Sequence, residues 1–323
     1  MPPARAQPTL DLIDQILALD PGRRGIAAFF RPGAALVAAR ALRRARRVLI
    51  VTGFVVARDT PETDGPPGAA VLGRALRSLG ARVRYVTDRV NAPIVGAALA
   101  ALGEPPEIFV CSDGEDTARA VLAAEHPTHL VAIERPGRNR AGDYLSMRGE
   151  SVAAWNAPLD SMFLCSGGRG AGSRRRWPEK GARGLRVRGQ PARRGATAPH
   201  PCTIGIGDGG NEIGMGKARS RLLRLGPLAT RIASIVGVDH LVVAGVSNWG
   251  GYGVVAALSR LAERDLLHTP ALERRLVEAC VAAGAADGVT RRREPTVDGV
   301  PLEAHAAVVD LLRWAARSGI IPA

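Results

Sequence analysis

At 323 residues the chain is long enough to bury a full core, as one large α/β domain or as two halves, 1–164 and 201–323. No apolar run approaches the length of a membrane span, and Asp11, Asp14 and Gln15 interrupt the stretch 10–19, so neither a membrane partner nor a secretory leader is expected. The formal net charge of +14 invites a nucleic-acid partner, but its placement argues against one.

In chain order, short apolar runs alternate with alanine-rich stretches of helical spacing. Residues 33–46 read as a helix and 47–54 as a strand; helices at 68–79 and 92–102 flank a strand at 82–87; a strand at 107–111, a helix at 117–124 and a strand at 129–134 follow. Between 165 and 200 the pattern breaks. Ten basic residues stand there against one acid, Glu179, so this segment carries +9 and leaves +5 for the other 287 residues. Eight glycines and two branched aliphatics, Leu185 and Val187, cannot build a hydrophobic face, and Trp177 alone is no stacking platform. A mobile Arg/Gly-rich insertion is therefore expected, or a local reading-frame shift in a GC-rich gene; binding of nucleic acid or an acidic partner through it is the alternative from another functional class. Beyond it come strands at 202–206 and 239–245, helical spacing at 212–225, and helices at 252–264, 271–282 and 302–317. This alternation implies an α/β fold with a mostly parallel sheet, helices on both faces and a ligand crevice at the C-terminal strand ends. Four cysteines, at 111, 165, 202 and 280, have no metal-site or disulfide spacing, which points to a reducing cytoplasm.

The densest motif is 203–216, with six glycines in fourteen positions. Bare backbone lets a small ligand reach main-chain N–H groups, and Asp208, Asn211 and Glu212 stand among them. A turn whose acids merely cap the next helix is the plainer reading. Gly205, Gly207 and Gly210 also match a dinucleotide spacing, but Asp208 would face the pyrophosphate, and no acid follows Glu212 before Asp239 to hold a ribose. Three further segments stand out: Pro61 to Gly68, containing Glu62 and Asp64; Glu134-Arg135 running through Asn139, Tyr144 and Arg148; and Ser247-Asn248-Trp249. Each has a plain reading too, as a rigid proline turn, a surface ion pair and a helix start with a core tryptophan. In a parallel sheet, however, Gly53, Glu134, Asp208 and Ser247 follow strands at one edge, where four remote motifs would share one crevice.

Order and wording of these segments, over about 48–311, resemble the D-glutamate cyclase family, which closes D-glutamate to 5-oxo-D-proline with loss of water. The resemblance implies a hydro-lyase acting on D-glutamate, a small-molecule partner, with a short connection where 165–200 lies. Such a reaction must neutralise a γ-carboxylate and deprotonate an ammonium. A divalent cation, Mg²⁺ or Mn²⁺, on hard oxygen ligands would suit, with Asp208, Glu212, Glu134 and Asp64 as candidate ligands. Glu134 or Glu212 could serve as base. Arg135 and Arg148 are suited to gripping the α-carboxylate, Asn139, Asn211, Ser247 and Asn248 to reading the amine or an oxygen, and Gly209 and Gly210 to offering N–H groups to an oxyanion. Tyr144 and Trp249 would wall the pocket. The same carboxylates and glycines also suit metal-dependent phosphate-ester hydrolysis, the enzymatic alternative.

Overall fold

A computed structural model describes residues 11–111, 114–165 and 200–318, so the expectation for 165–200 lies outside the described residues but for its two ends. Six parallel strands form the main sheet: β1 (Arg47–Thr52), β2 (Arg82–Thr87), β3 (Ile108–Val110), β4 (His129–Ile133), β5 (Cys202–Gly207) and β6 (His240–Val243). Their spatial order is β3-β2-β1-β4-β5-β6. Connections run outward in one direction from β1 and in the other from β4, and ligands of open α/β sheets bind outside the strand ends at such a reversal.

Both faces of the sheet are covered, which is why its strands read as continuous apolar runs. Alternate residues point to opposite sides: Val48, Ile50, Tyr85, Val131, Ile133, Ile204 and Ile206 to one layer, Leu49, Val51, Val86, Leu130, Ala132 and Val243 to the other. The first layer is built by α1 (Leu12–Leu17), α2 (Ala34–Leu42), α3 (Pro66–Ser78) and α4 (Ala92–Ala101). On the second lie α5 (Gly114–Glu125), α6 (Ser161–Cys165) and the loop carrying Ile213, Met215 and Val236 around α7 (Arg219–Leu222) and α8 (Pro227–Ile232). The chain then returns to the first layer with α9 (Ser247–Ala262), α10 (Pro270–Ala282) and α11 (Leu302–Ser318). Leu72 and Leu76 of α3 are fully buried there, each contributing about 1.5–3 kcal/mol by leaving water. Proline in the first turns of α3, α4, α8 and α10 fixes the entry angle where no intrahelical donor is lost. Among the described residues no helix is long and apolar enough to cross a membrane.

The expected six strands and the parallel sheet are found. The expected helix at 212–225 is not: Gly214 sits at φ 107° and pairs with Gly237, so only Arg219–Leu222 is α-helical. Helix α9 starts at Ser247, five residues before the expected 252. Two small hairpins, Val55–Ala57 with Thr60–Pro61 and Thr296–Val297 with Val300–Pro301, were not foreseen.

Candidate active site

At the C-terminal strand ends two helix starts cap one another. The carboxylate of Asp64, just before α3, accepts the N–H of Ser247 at 2.9 Å and of Asn248 at 2.7 Å, the first residues of α9. The Asn248 side chain reciprocates: its Oδ1 accepts the N–H of Gly65 at 2.9 Å and Gly68 at 2.8 Å, at the start of α3. Three first-turn helical donors, of Ser247, Asn248 and Gly68, are thereby satisfied, and Asp64 lies at the positive end of a helix dipole. Gly65, at φ 100°, makes the approach possible, since a Cβ there would fall 2.8 Å from the Cβ of Glu134.

Glu134 follows β4 directly and holds the left-handed conformation, φ 41°, a strained placement for a non-glycine residue. Its Oε2 accepts the Ser247 hydroxyl at 2.5 Å. Asp208 follows β5 one residue after its end. Asp64, Glu134 and Asp208 are all buried, with one carboxylate oxygen from each lying within 4.8 Å of the others. Burial first, then repulsion from neighbouring acids, among them Asp298 in every case, holds the carboxyls of Glu62, Glu134 and Asp208 well above the usual carboxylate range and pushes Asp64 up to about 7. Three convergent hard oxygen donors, which a cation would favour in their ionised form, fit a divalent cation such as Mg²⁺ or Mn²⁺. The hydrogen bonds on Asp64 leave lone pairs free, since a carboxylate offers about four acceptor sites.

Glu134 and Asp208 of the triad border a cavity of about 330 Å³. Glu62, Glu134, Asp208, Asn211, Arg24 and Asp298 line its polar side, and Phe54, Val56, Met147 and Val289 its apolar side. The Oε1 of Glu62 and the Oδ1 of Asn211 are buried and make no hydrogen bond, so two acceptors stand ready for a ligand. Arg24 reaches in from the N-terminal segment, its Nη1 2.6 Å from Asp208 and 3.0 Å from Asp298. Neither Arg24 nor Asp298 was singled out from sequence. A signal existed for Asp298: Asp298-Gly299, flanked by Val297 and Val300, is a two-residue hairpin turn, with both residues at positive φ (56° and 74°).

Several expected site residues have other partners. Arg135 is fully buried and donates to the carbonyls of Gly53 at 2.8 Å and Ala157 at 2.6 Å and to Asp88 at 2.6 Å; it braces the strand ends and does not line the cavity. The Glu212 carboxylate accepts the N–H groups of Asp208, Gly209 and Gly210 at 3.2, 2.6 and 2.8 Å, which moulds the loop and engages the very donors expected to meet an oxyanion. Asn248 is consumed in capping, and Asn139 folds its own loop by accepting the N–H of Ala141 and Asp143. Trp249 packs in the core, donating to Nδ1 of His305 at 2.9 Å, and Tyr144 donates to Asp160 at 2.6 Å. Arg148 does line the cavity, at its exposed rim, donating to the Val289 carbonyl at 2.9 Å.

Residues 13–171 and 192–313 match a family model described as D-glutamate cyclase-like, C-terminal. Over 268 residues the chain is 31% identical to the mitochondrial D-glutamate cyclase of Homo sapiens, covering 76% of this chain and 38% of that protein, so it spans well under half of that relative. Among solved structures, RecJ from Thermus thermophilus in complex with Mn²⁺ aligns with 85% of this chain and 26% of its own, at 14% identity and a TM-score of 0.35.

Proposed function

This chain belongs to the D-glutamate cyclase-like, C-terminal family, and from that premise we propose that it dehydrates D-glutamate to 5-oxo-D-proline. The observation that carries the reading is the convergence of the buried carboxylates of Asp64, Glu134 and Asp208 at the reversal point of the sheet, with Glu134 and Asp208 lining the cavity. These three carboxylates would hold a divalent cation, Mg²⁺ or Mn²⁺, which when bound supplies Lewis acidity to the substrate γ-carboxylate.

The reaction forms a C–N bond between the amine and the γ-carbon and breaks a C–O bond. The nitrogen gives up two protons and the departing oxygen takes two, so charge balances without outside acid or base. A carboxyl near both atoms can carry these protons, and Glu62 qualifies: it lines the cavity and keeps one buried oxygen free. Its proton affinity, raised chiefly by burial, suits a group that must take a proton and give it back. Ser247, bonded to Glu134, fixes one ligand; Glu212 fixes the loop that presents Asp208. Phe54, Val56 and Met147 exclude water from a five-membered ring closure whose reactants are already in one molecule, so holding the folded substrate supplies much of the rate.

The test is chiral chromatography of D-glutamate and L-glutamate incubated with the purified chain, with and without chelator and added Mn²⁺ or Mg²⁺. Conversion of the D isomer to 5-oxo-D-proline, abolished by chelator, is expected. Stable D-glutamate in the presence of either metal would remove the assignment.

A further inference from the structure

The N-terminal segment is shaped to deliver one cation. Asp20 accepts the N–H groups of Arg24 at 2.9 Å and Gly25 at 2.7 Å, folding the turn from which Arg24 projects. Gly245 lets this segment pass beside the end of β6, because a Cβ there would fall 1.7 Å from the carbonyl oxygen of Leu19. The side chain of Arg24 is then 11% exposed and lines the cavity. A guanidinium carries five N–H donors. Nη1 donates to Asp298 and the Gly245 carbonyl and forms an ion pair with Asp208, whereas Nε and Nη2 make no hydrogen bond among the described residues. Neither is a buried atom without a partner, so the lack of a hydrogen bond leaves no orphaned donor in the core. The other arginines of the cavity are rim residues: Arg148 is exposed and bonded to Val289, Arg23 is exposed, and Arg291 pairs with Glu150 at 2.6 Å.

Resting on the reaction assigned above, we propose that Arg24 grips the α-carboxylate of the substrate through its free Nε and Nη2, making it a substrate-binding residue of this site. That edge is the planar fork that receives carboxylates bidentately. Asp208 and Asp298 fix the guanidinium from the other side, and the free acceptors of Glu62 and Asn211 line the same cavity, where they suit an ammonium. The cavity thus offers partners for both charged ends of an α-amino acid beside the triad that would meet its distal carboxylate.

Arg24→Gln and Arg24→Lys decide the matter through KM, kcat and, separately, Mn²⁺ affinity by electron paramagnetic resonance. Arg24→Gln should raise KM for D-glutamate at least about tenfold with kcat changed far less, as expected for lost ground-state binding. Its Mn²⁺ affinity should stay equal or rise, since a positive charge beside Asp208 is gone. Arg24→Lys keeps the charge against Asp208 and Asp298 and loses the fork, so it should repeat the KM effect and carries the test should Arg24→Gln not fold. An unchanged KM in both variants, or Mn²⁺ affinity that collapses along with KM, overturns the proposal, the latter marking Arg24 as a brace of the acid cluster. Calorimetry separates this from the reaction itself. If the wild type binds D-glutamate without converting it and the variants lose that binding, the reaction falls and Arg24 stands; if the variants convert D-glutamate at the wild-type KM, the reverse holds.

Discussion

Glu134 and Glu212 illustrate how two acids in neighbouring motifs take different work. Glu134 is one of several crowded buried carboxylates, and burial pushes its carboxyl well above the usual range, so it is a burden to the metal-free fold. Glu134→Gln should therefore lower turnover at least about tenfold while leaving the chelated protein as stable as wild type or more so. Glu212, which accepts three loop N–H groups, should behave oppositely: Glu212→Gln is expected to cost about 2–3 kcal/mol in urea unfolding, since charge-assisted acceptors are lost. Arg135→Met leaves Asp88 buried without its partner and should cost about 3–5 kcal/mol. Equal stability of Glu212→Gln and wild type in that measurement would undo the division of labour. At this scale Glu134 and Asp208 could be singled out because each follows an expected strand, and Asp64 because it stands in the dense segment 61–68; the structure brings the three together. Arg24 was not, because Asp-Pro-Gly-Arg-Arg-Gly at 20–25 reads as an ordinary turn and its partner Asp298 is 274 positions away.

The reciprocal caps of α3 and α9 tie two first-layer helices into the site. Asn248→Ala removes the acceptor for the Gly65 and Gly68 donors and should destabilise the protein by about 1–3 kcal/mol, read by denaturant unfolding, with Mn²⁺ affinity much less affected than by Asp64→Asn. Comparable loss of Mn²⁺ in both variants would mean that Asn248 is needed at the metal position too. The strands were legible as apolar runs with turns after them, since burial on both faces erases alternation but not hydrophobicity. The stretch 212–225 misled because apolar spacing after Glu212 suits a helix, whereas Gly214 at φ 107° and the backbone bonds of Gly214 and Gly216 to the Val236 carbonyl hold it open. Spacing records which side chains are buried, and here an irregular loop buries Ile213 and Met215 as a helix would.

For the molecule as a whole the acid cluster sets an unusual dependence on pH. Asp64 titrates near 7 in the fold and near 3.8 when unfolded, so the native state binds the extra proton between these values. Its stabilising contribution is full below about pH 4 and is lost as pH rises through 7. In chelator, wild type should therefore lose stability relative to Asp64→Asn between about pH 4 and pH 7, and added Mn²⁺ should restore it; a flat difference would place Asp64 in water. The sheet order was beyond the sequence, because alternating strands and helices define parallel pairing without saying where the winding reverses, and that reversal is what gathers Glu134 and Asp208 beside Asp64.

The claim that one buried carboxylate triad holds the cation for D-glutamate dehydration is tested most directly by titrating Mn²⁺ into the chelated protein while following 5-oxo-D-proline. Activity should rise from none to a plateau at one equivalent per chain, with Glu134→Gln and Asp208→Asn flat at that concentration. Full turnover in chelator, or a plateau unchanged in both variants, would contradict it.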